Sequence, residues 1–104
     1  MEHREGKRIM GDFYAEVVHG DKPHGCCSVT NISQGGVFLS GLENKVNERD
    51  LLTLKIHYGI ASKPSVFERR AMVVHLSDND LGLMWVDTQS NFLAILNTMN
   101  EIAA

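Results

Sequence analysis

Cysteine is scarce in this chain, and the only two, Cys26 and Cys27, are neighbours. Adjacent residues on a strand point to opposite faces, so the pair makes no disulfide framework and suits a reducing compartment. Long apolar runs are missing as well. No stretch approaches the roughly 20 residues of a membrane span, and the opening MEHREGKRIM has no apolar segment of signal-peptide length. The expectation is a cytoplasmic protein that does not insert into a membrane. Charge of one sign is not in excess: the net charge is −3 and aromatic content is 7%. That balance argues against a protein that coats DNA or RNA by charge, or that stacks single strands along a basic groove. It leaves room for a small anion held by a local basic cluster.

Catalytic chemistry is also hard to find. His75, Ser77 and Asp78 have the side chains of a triad, but neighbours within one turn do not readily adopt its geometry. His19, His24, Cys26 and Cys27 gather around one turn without matching a zinc-ligand spacing. A non-enzymatic protein with no catalytic residue, no metal and no cofactor is therefore expected.

What is present is a globular composition, 43% hydrophobic and 22% charged over 104 residues, which fits one domain with one core. Residues 1–12 are polar and aperiodic and read as a flexible N-terminal arm. From residue 13 to 104 the pattern is that of one folded unit. FYAEVV alternates and reads as a strand; HGDKPHG reads as a turn and CCSVTNI as the returning strand of a hairpin. GVFLSGL is a third strand and ENKVNERD a charged loop. In LLTLKIHY, Leu52, Leu54, Ile56 and Tyr58 share one face. GIASKP reads as a loop and SVFERRAMVVHL as a longer strand with a bulge near Glu68–Arg70, its two arginines on the outer face. SDND is a turn and LGLMWVD a sixth strand. In TQSNFLAILNTMNEI the period changes: Phe92, Ile95, Leu96, Met99 and Ile102 form a helical stripe, with Asp87, Thr88 or Ser90 as cap. Six short strands followed by one helix imply a mostly β protein, a six-stranded antiparallel barrel with a C-terminal helix packed on it.

Two short segments carry chemistry. Arg4-Glu5-Gly6-Lys7-Arg8 is an Arg-x-x-x-Arg spacing, and Asn31-Ile32-Ser33-Gln34-Gly35-Gly36 an Asn-x-Ser-x-x-Gly spacing. Their order, their separation by one hairpin, and the layout of strands and helix resemble the PilZ domain, a bacterial receptor for the second messenger cyclic di-GMP with a split-barrel fold. Its signature is Arg-x-x-x-Arg before the first strand and Asp/Asn-x-Ser-x-x-Gly between the second and third. The resemblance implies that Arg4, Arg8, Asn31, Ser33, Gly35 and Gly36 bind cyclic di-GMP. Trp85, in the last strand, is either a core residue or an aromatic platform beside a guanine.

The chemistry suits such a ligand. Guanidinium forks bind phosphate oxygens in pairs of charge-assisted hydrogen bonds and pair with guanine O6 and N7. Asn31 offers an acceptor for guanine N–H groups, Ser33 a donor for phosphate, and the two glycines room for close approach. Asn31 stands where many PilZ domains carry Asp, which implies a weaker hold on guanine. Signal transduction by association follows from the resemblance, with a protein of the motility, pilus or biofilm machinery as partner. The competing expectation is a PilZ-like interaction module that binds no nucleotide and docks to motility or pilus machinery.

Overall fold

The computed structural model of the chain describes residues 13–103. The expected arm, and Arg4 and Arg8 within it, lie outside the described residues. Six strands follow in order: β1 (Phe13–His19), β2 (Lys22–Ile32), β3 (Gly36–Ser40), β4 (Leu51–Ile60), β5 (Lys63–Leu76) and β6 (Asp80–Trp85); α1 spans Phe92–Ala103. The strands close into a barrel in the order β1-β2-β3-β6-β5-β4, every neighbour antiparallel. Every described strand thus has a neighbour on both sides, although β2 before Ser28 runs past β3 and β5 before Ala71 runs past β6.

The alternation read from the sequence places the core. Leu52, Leu54 and Ile56 of β4 point inward beside Ala15 and Val17 of β1 and Val37 and Leu39 of β3, all buried. Each fully buried leucine or isoleucine stabilises the fold by about 1.5–3 kcal/mol. Two connections are tighter than expected. The segment HGDKPHG reduces to a turn at Gly20-Asp21, because the β1–β2 ladder continues to His19↔Lys22; a register shift at Val17/Val18 accommodates Pro23 within it. The segment GIASKP reduces in the same way, with Ile60↔Lys63 the last pair of the β4–β5 ladder. The bulge in β5 lies between Val73 and His75, not near Glu68–Arg70, where pairing with β4 is continuous.

The charged 41–50 connection is anchored rather than loose. Val46 is buried, Arg49 N–H donates to the Val73 carbonyl at 2.7 Å, and Val73 N–H donates to the Asp50 carbonyl at 2.9 Å. Helix α1 buries Phe92, Ile95, Leu96 and Met99. Phe92 meets Phe67 and Trp85 edge to face, both at 5.5 Å between ring centroids. Those rings face the barrel interior, which is accessible only from its ends, so α1 closes the end at which Trp85 lies. The first intrahelical bond runs from Ile95 N–H to the Asn91 carbonyl, which puts Asn91 at the cap position in place of the three residues expected there. No helix among the described residues is long and apolar enough to cross a membrane.

Candidate ligand site at the Asn31–Gly36 turn

The β2–β3 connection is built so that its polar groups are already organised. Ile32 points inward and is fully buried, while Asn31 faces outward and is half-buried, paired across the ladder with Phe38. A register shift between Val29 and Asn31 marks a bulge at Thr30, whose hydroxyl donates to the Phe38 carbonyl at 3.2 Å. Thr30, Asn31 and Phe38 line a shallow depression on the outer wall together with Asp80. The turn itself closes through Ser33 N–H to the Gly36 carbonyl at 2.9 Å. The Ser33 hydroxyl accepts from Gly35 N–H at 3.3 Å, which leaves its own proton for another acceptor.

The two glycines do different things. A Cβ on Gly36 would collide with the Leu83 carbonyl oxygen of β6, so glycine is required there by strand contact. A Cβ on Gly35 would meet nothing within 4 Å. The Gly35 backbone is therefore a solvent-facing ledge that no contact among the described residues demands. Gly36 thus has a sufficient structural reason, whereas the space beside Gly35 is open.

Trp85 supports the turn from below. Its indole N–H donates to the Ser33 carbonyl at 3.0 Å and its backbone N–H to the Gly35 carbonyl at 3.2 Å. The ring is 8% exposed, edge to face with Phe67 and Phe92 and covered by the Arg69 guanidinium at 4.7 Å from its centroid. It stands in the core and reaches the turn through its N–H.

Arg69 departs from the sequence expectation. It faces inward and is 5% exposed, not on the outer wall. Its Nε donates to Asp87 Oδ1 at 2.8 Å, and its guanidinium also lies 4.5 Å from the Phe92 ring centroid. A charge is tolerated there because it is paired and stacked. Burial pushes the Asp87 carboxyl up, but the Arg70 backbone N–H and the Arg69 guanidinium outweigh it and hold the group below its ordinary value. The parity was present in the sequence: Phe67, Arg69, Ala71 and Val73 share one face, and the other three are core.

No family model and no curated protein matches this sequence. Among solved structures the chain is similar to the Bacillus subtilis inhibitor of motility MotI/DgrA, with 15% identity and a TM-score of 0.75 over 97% of this chain and 51% of that one. It is also similar to an uncharacterized Legionella protein, with 19% identity and a TM-score of 0.55 over 91% and 96% of the two chains. The PilZ domain of CeSA from a cellulose-synthesizing bacterium matches with 14% identity and a TM-score of 0.55 over 93% and 94%. The chain thus spans about half the length of MotI/DgrA. At such identities the likeness is one of fold, and the fold is PilZ-like.

Proposed function

We propose that this chain binds cyclic di-GMP between the Arg4/Arg8 segment and the Asn31–Gly36 turn, and acts as a receptor that alters its association with a protein partner. The observation that carries the reading is the register at the start of the barrel. Phe13 pairs with Val29, and the strands are antiparallel, so the backbone at Phe13, traced toward residue 1, points the same way as β2 on its course to Ser33. Five positions separate Arg8 from Phe13, at most about 17 Å of chain, and four separate Val29 from Ser33, about 13 Å. Both guanidinium groups are within chain reach of the turn. Two forks can then grip the phosphates and guanines from one side. Asn31, the free proton of Ser33 and the Gly35 backbone meet the ligand from the other.

Calorimetric titration tests the reading. Binding is expected for the unaltered chain, lost in Arg8→Ala and at least tenfold weaker in Ser33→Ala, about 1.4 kcal/mol or more. Amide exchange of residues 2–9 is expected to slow when the dinucleotide is added; an unchanged rate counts against closure of this segment over the ligand.

A second reading has its own support: an interaction module that binds no nucleotide. The outer wall exposes large apolar side chains, and one similar protein is an inhibitor of motility. No heat with up to about 50 µM ligand favours this alternative, because a signalling receptor that weak would be nearly empty at micromolar messenger.

A further inference from the structure

We propose that the outer wall of β3, β6 and β5 is a self-association surface on which a second copy of this chain docks with its strands reversed. Where β3, β6 and β5 run side by side their backbones are paired to one another, so a partner there meets the outer face. On this face two cross-strand rows carry exposed apolar side chains. One joins Phe38 to Gly82 and His75, the next joins Met84 to Met72 and Leu51. Phe38 is 43% and Met84 45% exposed. A Cβ on Gly82 would lie 3.1 Å from the Phe38 ring and 3.1 Å from His75 Cβ. The glycine therefore lets the phenyl ring lie over β6, and Phe38 and Met84 present exposed apolar surface on adjoining rows, of the kind that marks interaction sites.

The ends of this wall carry opposite charge, which selects the occupant. Arg70 stands one row beyond Met72, opposite Thr53 of β4. At the far end Asp80 pairs with Ser40, and Asp78 follows on the adjoining turn. The two ends are about 20 Å apart along β6. Consider a two-fold axis lying in the contact plane and crossing the strands between Gly82 and Met84. It brings Arg70 of each copy to the acidic end of the other, and Met84 of each over the Phe38 ring of the other, a favourable sulfur–aromatic contact. Docking with strands in the same direction would set like charges together. The wall is thus complementary to itself in one orientation. Three or four strands of this length offer about 300–400 Å² per copy in plan, below the roughly 800 Å² per partner of a standard specific interface, so the dimer is weak and exchanges rapidly. The wall adjoins the proposed nucleotide site, since Phe38 pairs with Asn31 and Met84 with Gly36, so the association is measured in the absence of nucleotide.

Sedimentation equilibrium of the purified chain without nucleotide, from about 5 to about 500 µM, tests this, a range set by the small contact area. A monomer–dimer equilibrium is expected, abolished by Met84→Glu and by Phe38→Ser, both at exposed positions where folding can be checked by circular dichroism. Arg70→Asp and Asp80→Arg are each expected to weaken the dimer about tenfold, and their combination to restore it, because the exchanged pair is again complementary. The proposal is overturned by a monomer at the highest concentration, which would leave the wall to a different protein. It is equally overturned by a dimer indifferent to Met84→Glu, or by a double exchange no stronger than either single one.

Discussion

Asp87 and Arg69 show how a single pair can join three parts of the molecule. The carboxylate accepts from Arg69 Nε and from the Arg70 backbone N–H, while the guanidinium lies between Trp85 and Phe92. Removing the carboxylate leaves the buried Arg69 with only its bond to the Asp87 backbone carbonyl and its ring contacts, so Asp87→Ala is expected to cost about 1–3 kcal/mol. The pH dependence follows from the lowered carboxyl. A group whose folded value lies below its unfolded value stabilises the fold above the unfolded value, and that contribution disappears as pH falls through the folded one. Stability to urea should therefore fall as pH drops below about 4. Asp87→Asn should be less stable at neutral pH and show a shallower acid limb. An acid limb identical in the two proteins would rule out this contribution. Arg69 could have been assigned inward from its parity with Phe67 and Ala71, but its charge argued for the surface; the aromatic faces that accommodate it come from β6 and α1, distant in sequence.

Among the elements, the β2–β3 turn separates two requirements that look alike in sequence. Gly36 is held against the Leu83 carbonyl, whereas Gly35 borders open space. Gly36→Ala is expected to destabilise the chain by about 2–3 kcal/mol through displacement of β3 from β6, an overpacking cost. Gly35→Ala should change stability by less than about 1 kcal/mol yet weaken dinucleotide binding if the ledge is a contact surface. Chemical denaturation and titration of the same two variants separate the effects; equal destabilisation by both would contradict the assignment. The double glycine was legible as special, but which glycine serves the fold was not, because the answer depends on a strand nearly fifty residues away.

For the whole molecule, closure couples the parts. β1 pairs with both β2 and β4, and the ring is completed through β3, β6 and β5, so no strand can leave without opening two ladders. Trp85 connects the turn, the inner core and α1. Unfolding followed by tryptophan fluorescence and by far-ultraviolet circular dichroism should therefore coincide in one transition. A fluorescence change that precedes loss of strand signal would mean that α1 and the turn detach as a separate unit.

The local pattern alone was enough for the six strands, the closing helix and most of the inward-facing apolar residues, because side-chain alternation is written directly into neighbouring positions. It also marked residues 31–36 as a turn, because the glycines and hydrogen-bonding side chains that build it are consecutive. Tertiary structure decided the rest: the tight first hairpin, the bulge at Val73/His75, the buried Arg69, the structural reason for Gly36, and the outer wall that gathers Phe38 and Met84. Each depends on which strands become neighbours when the barrel closes. Pairing of that kind is set by contacts between distant residues, so no local window of sequence contains it.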